Sequence, residues 1–98
     1  MRLTTLGFMM LTCLSNMAPA DDSYREARRL AAEGEIQPLA SILERIQTEQ
    51  PGGILEVELD RKRGRMIYEI EILDKQGTVW ELKVDAVSGE ILKREAED

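Results

Sequence analysis

From Ile54 to Val84 apolar and charged residues alternate with a period of two, the pattern of strands that bury one face and wet the other. Leu55, Val57 and Leu59 alternate with Glu56, Glu58 and Asp60, and Met66, Tyr68, Ile70 and Ile72 with Ile67, Glu69, Glu71 and Leu73. A third run sets Trp80, Leu82 and Val84 against Val79, Glu81, Lys83 and Asp85. Upstream the period is helical. Leu39, Ile42, Leu43 and Ile46 fall at i, i+3, i+4 and i+7 behind Pro38, which suits a first helical position, and Pro51-Gly52-Gly53 stops the run. Asp22-Ser23 ahead of Tyr24, Ala27, Leu30 and Ala31 predicts a weaker helix, closed by Gly34 as a left-handed C′ residue. Ala86-Val87-Ser88-Gly89 reads as a turn, Glu90 to Lys93 as a short last strand or extended tail, and the residues after it as loose.

Turn chemistry tests the alternation, because a slip of one residue would send every side chain to the opposite face. A four-residue loop Arg61-Lys62-Arg63-Gly64 pairs Asp60 with Arg65, Leu59 with Met66, Val57 with Tyr68 and Leu55 with Ile70. A three-residue loop Lys75-Gln76-Gly77, with Gly77 in the left-handed bulge position, pairs Ile72 with Trp80, Ile70 with Leu82 and Tyr68 with Val84. Both hairpins set apolar against apolar, whereas a two-residue Gln76-Gly77 turn would place Leu73 opposite Trp80 and mix the faces.

The Leu/Ile stripe of the second helix is the natural cover for the inner sheet face. Leu43, Ile46, Leu55, Val57, Tyr68, Ile70, Trp80 and Leu82 are the expected core, each stabilising by roughly 1.5–3 kcal/mol when fully buried, before conformational entropy opposes it. The expected fold is α+β, with one or two N-terminal helices packed on a three- to four-stranded antiparallel sheet.

The first twenty residues read as an export signal. Arg2 supplies a positive start, Leu3 to Leu14 is uncharged and mostly apolar, and Ala18-Pro19-Ala20 has the small-x-small form that signal peptidase cuts after. About a dozen apolar residues are too few for a membrane span, which needs roughly 20. Cys13 is discarded with the signal on this reading, because Met10-Leu11-Thr12 lacks the small residue that precedes a lipidated cysteine. Cleavage removes only Arg2 from the charged residues, leaving 12 basic against 19 acidic and a net charge of −7 on a chain of 78. That length permits one domain and a thin core. The acidic balance repels nucleic acid and anionic lipid. No disulfide can form in the remaining chain.

Composition also excludes the commonest catalytic constellations. With no histidine in the chain, and no cysteine after the signal, Ser-His, Cys-His and histidine-metal sites are ruled out. Gly52-Gly53 precedes a strand and has no phosphate-loop lysine. No catalytic, metal or cofactor residue is expected, and the chain is read as a non-enzyme. The outer sheet face carries Glu56, Glu58, Glu69, Glu71, Glu81 and Asp85, with Lys83 and Arg65 among them, and these acids form the candidate interaction face. Glu69 should lie between Glu56 and Lys83, and Glu71 beside Glu81. Ile67, Leu73 and Val79 interrupt this face as scattered surface apolars. Arg61, Lys62, Arg63 and Arg65 form a basic hairpin tip, and the first or last strand offers an open edge.

Three runs carry a family resemblance: Gly52 to Leu59, Tyr68 to Ile72, and above all Trp80-Glu81-Leu82-Lys83-Val84-Asp85-Ala86-Val87-Ser88-Gly89-Glu90-Ile91-Leu92. Together they resemble the PepSY domain, in which a helix packs on an antiparallel sheet. Asp85, Ala86, Gly89 and Glu90 match its closing motif, where turn geometry explains Asp85 as a local acceptor and Gly89 as a permissive backbone. The family occurs in propeptides of secreted metallopeptidases, in membrane proteins and as lone exported modules. Taken with the leader and helix patterns above, the resemblance divides the chain into residues 1–20 as signal peptide, 21–35 as an N-terminal helical segment, 36–94 as the PepSY-like domain and 95–98 as a loose tail. With no peptidase domain in this sequence, the lone periplasmic form is the one it resembles. The implied function is a non-catalytic module that modulates or inhibits a peptidase or sensor protein of the cell envelope. The alternative is a cation-binding or cation-responsive periplasmic protein that uses the acidic face.

Overall fold

The computed structural model describes residues 18–97, with side chains from Ser23 onward. The expected signal segment, apart from its last three residues, lies outside the described residues. Helix α1 (Ala18–Ala32) starts four residues before the expected Asp22-Ser23 cap. Alanine favours helix strongly and proline is tolerated in a first turn, so Ala18-Pro19-Ala20 extends it. It closes as expected at Gly34, φ 77°, where the Glu35 and Gly34 N–H groups donate to the carbonyls of Leu30 and Ala31.

Helix α2 (Leu39–Glu49) begins one residue after the expected start, because Pro38 has ψ 141° and stands as the cap residue. The Pro38 carbonyl still accepts from the N–H groups of Ser41 and Ile42. Ile42 and Ile46 are buried, and Leu39 and Leu43 pack half-buried beside them.

The sheet is an antiparallel meander of β1 (Gly53–Lys62), β2 (Arg65–Leu73), β3 (Val79–Asp85) and β4 (Ile91–Glu97), in that spatial order. The first and last strands are its edges, as expected. The β2–β3 register is the expected one: Tyr68 faces Val84, Ile70 faces Leu82 and Ile72 faces Trp80. Gly77 has φ 87°. The Asp74 carboxylate accepts from the N–H groups of Gln76 and Thr78 and from Trp80 Nε1, each at 2.9 Å, and fixes the turn.

The first hairpin departs from expectation by two residues. Lys62 faces Arg65, Leu59 faces Tyr68 and Val57 faces Ile70, so the loop is Arg63-Gly64 alone, with φ 54° and 78°. Two successive left-handed residues make the turn whose twist matches a hairpin, and the strands continue to its brink. A slip of two keeps every side chain on its face, which is why the alternation could not detect it. A bulge between Ile54 and Glu56 ejects Leu55 from the expected core, leaving it 53% exposed.

The end of the chain is the other correction. Residues 94–97, expected loose, pair with β3: Arg94 faces Leu82, Ala96 faces Trp80 and Glu97 faces Val79. Arg94 also lies over the Trp80 ring at 5.7 Å and donates to Gln50 Oε1 at the end of α2. That stacking and hydrogen bond hold the last strand in place. Both helices contribute to one core with the inner sheet face, where Tyr68, Ile70, Ile72, Leu82 and Val84 are fully buried. Trp80 is only half-buried. Among the described residues no helix is long and apolar enough to cross a membrane.

The outer sheet face as candidate functional site

Two helices on one side leave the opposite side of the sheet without a helical cover among the described residues. Its residues form rows across the strands. One row is Glu56, Glu71, Glu81 and Glu95, and the next is Glu58, Glu69, Lys83 and Lys93. Glu69 therefore lies between Glu58 and Lys83, not between Glu56 and Lys83 as the longer hairpin loop would have it. Glu71 lies beside Glu81 as expected, and Glu56 joins them from the other flank. Glu56, Glu58, Glu69, Glu71 and Glu81 line one shallow depression.

Electrostatics divide these five acids. Glu69 is paired, with Lys62 Nζ at 3.4 Å and Lys83 Nζ at 4.0 Å. Glu71 has carboxylates on all sides. Partial desolvation, then the charges of Glu97, Glu56 and Glu81, push its carboxyl above the ordinary range. Like charges facing one another across strands are unfavourable, so the row is held against its own repulsion by the core behind it.

Asp85, the sixth candidate, is set apart. It is only 8% exposed. Its Oδ1 accepts from the N–H groups of Val87 and Ser88 at 2.8 and 3.0 Å, and Arg65 Nε lies 3.1 Å from Oδ2. The Ser88 and Val87 N–H groups, with the Arg65 charge, hold its carboxyl below the usual carboxylate range. Its contacts make it a turn anchor rather than a free binding group. Gly89, φ 81°, closes the same turn by donating its N–H to the Asp85 carbonyl at 2.7 Å. The turn is stapled to the start of α2: Gln37 N–H donates to Ala86 O, Gln37 Nε2 to Val87 O, and Arg45 Nη1 to Ser88 O. Ala86 is buried, and Glu90 is exposed with its carbonyl accepting from Asp85 N–H.

A cationic half of this face was not legible as a unit in the sequence. Lys62, Arg63, Arg65, Lys83 and Lys93 surround a hollow of about 500 Å³ with Ile67 and Leu92 in its lining. Ile67, expected as a scattered surface apolar, is 5% exposed. The basic hairpin tip supplies three of the five cations, and β3 and β4 supply the others. Only the two-residue turn and the pairing of β4 bring them together. Arg61 faces Met66 and belongs to the opposite side. Leu73 and Val79 face each other beyond the acidic row, as expected.

Residues 36–95 match the family model described as peptidase propeptide and YPEB domain, PepSY. The chain belongs to the PepSY family. It is also 45% identical over 56 residues to the uncharacterized protein YkoJ of Bacillus subtilis (strain 168), a stretch covering 56% of this chain and 33% of that protein. The chain thus spans about a third of the length of that relative. No solved structure matches it. The PepSY unit begins at Ile36, which is buried, and takes in α2, the first three strands and most of β4 but not α1. The run from Asp85 to Glu90 forms the turn whose Ala86, Val87 and Ser88 carbonyls accept from Gln37 and Arg45, tying the sheet to the α2 layer.

Proposed function

We propose that the protein is an exported, non-catalytic PepSY module that docks on a peptidase or sensor protein of the cell envelope and modulates it. The carrying observation is the outer sheet face, which among the described residues has no helix over it and is divided into an acidic and a cationic half. A face with both signs of charge in fixed rows selects partners by matching and by repulsion, and gives specificity and a register for docking. The leader-like pattern of residues 1–20 supports export, and the missing histidine, with the anchoring role of Asp85, supports a module without catalytic groups. A cation-binding use of the acidic face has less support, because among the described residues no group of three or more acidic side chains is placed to hold a metal ion.

The test is affinity capture after crosslinking in the native cell envelope, run in parallel with a Glu56→Lys/Glu71→Lys/Glu81→Lys variant. The reading expects a specific envelope protein with the native chain and its loss with the variant. Recovery of the same protein by both, or of none by either, contradicts it.

A further inference from the structure

The cationic hollow lies against the open edge of β4, and the two features belong together. Among the described residues nothing pairs with the far side of β4, and no helix backbone approaches it, whereas α1 packs beside β1. An unpaired edge presents a row of N–H and C=O groups to any extended chain. Leu92 interrupts the ladder, since Lys93 faces Lys83 but Ile91 faces Val84. Around that irregularity β4 is flanked by two hollows. One is the cationic hollow on the outer side, and the other, about 310 Å³, is lined by Glu49, Ile91, Leu92, Lys93 and Arg94.

We infer that β4 receives an extended peptide as a fifth strand, anchored by an acidic side chain in the cationic hollow. The inference rests on the docking function above and names its mode and the chemistry of the segment it takes. Alternate residues of an added strand project to opposite faces, so one set enters the outer hollow and the next enters the one beside Arg94. The outward residue beside Lys93 meets a cation at cross-strand distance, with Lys83 behind it and Arg65, Lys62 and Arg63 at the far wall. Two positions along, the outward residue meets Glu95. The favoured segment is therefore acidic at one position, apolar at the next and basic at the third. The cations are already in contact with carboxylates, Lys62 and Lys83 with Glu69 and Lys93 with Glu95 at 3.5 Å. Lys62 and Lys93 are about half exposed and Lys83 27%, so these pairs are weak and exchange for a ligand carboxylate, while Arg65 stays on Asp85.

Charge argues for a peptide over an anionic membrane. The acidic rows begin one residue pair from the hollow, and the chain carries a net −6, so an extended layer of negative headgroups meets more repulsion than attraction. A single side chain entering the hollow avoids those rows.

The experiment is a titration of the protein with labelled eight-residue peptides that repeat Glu-Val-Lys-Val in both chain directions, read by fluorescence anisotropy. One direction should bind. Replacing its glutamates by lysine should weaken binding at least tenfold, and N-methylation of alternate backbone amides, which removes the edge hydrogen bonds, should do the same. The protein variant Lys83→Glu/Lys93→Glu should lose the glutamate peptide. Because the peptide substitutions leave the protein intact, the result does not depend on that variant folding. Equal affinity for the N-methylated or all-lysine peptide overturns the inference, as does binding of inorganic phosphate or of phosphatidylglycerol vesicles with none of the peptides. Absence of peptide binding with retained capture of an envelope protein through the acidic rows overturns this inference and leaves the docking function standing.

Discussion

At the residue scale, Asp85 shows how a family motif serves this fold. Its carboxylate receives two backbone N–H groups and a guanidinium, and the turn it holds is the one stapled to α2 by Gln37 and Arg45. Replacing it by alanine leaves those donors short of an acceptor and should destabilise the fold by about 1–3 kcal/mol, measured by urea denaturation. The pH response should have two opposed parts. Asp85 and Asp74 have folded values below the ordinary 3.8. Their contribution is present above that value and is lost as pH falls through the lower folded ones. Glu71 has a folded value above the ordinary 4.5. Its burden on the fold is therefore present at neutral pH and is relieved as pH falls through the raised value toward 4.5. Stability should accordingly rise on mild acidification and fall below about pH 4. Glu71→Gln should remove the rise and leave the fall, as followed by denaturant titrations across pH.

At the element scale, periodicity carried most of the fold. The second hairpin was readable to the residue because its three-residue turn and its faces admit one register. The first was not, because two turns differing by two residues satisfy the same alternation, and only the left-handed pair Arg63-Gly64 separates them. The bulge at Leu55 was invisible for a similar reason: a leucine two residues before Val57 falls on the apolar side of the alternation whether or not the ladder is regular. Leu55→Ser should change stability by less than about 0.5 kcal/mol, whereas Ile70→Ala, at the centre of the core, should cost about 2–5 kcal/mol. Thermal melts of the two variants check both. The outer half of the last strand, Arg94 to Glu97, escaped detection because its residues are mostly charged. Its place is held by backbone pairing to β3 and by Arg94 over Trp80, a contact with no signature in hydropathy. The acidic half of the site was legible from alternation alone, while the cationic half depends on the two features that alternation misses.

At the scale of the whole molecule, a helical layer covers one side of a four-stranded sheet and leaves the other for use. The PepSY turn locks the two layers together behind that face. An acidic row lies beside a row that is acidic on β1 and β2 and cationic on β3 and β4, and the β4 edge, unpaired among the described residues, borders its cationic end. A partner should approach from this side and not over the helices. The most direct measurement places a photocrosslinking amino acid at Glu81, in the middle of the outer face, or at Glu44, exposed on α2, and compares the adducts formed in the native envelope. The account predicts a specific protein adduct from position 81 and none from position 44. Adducts from position 44 alone would contradict it.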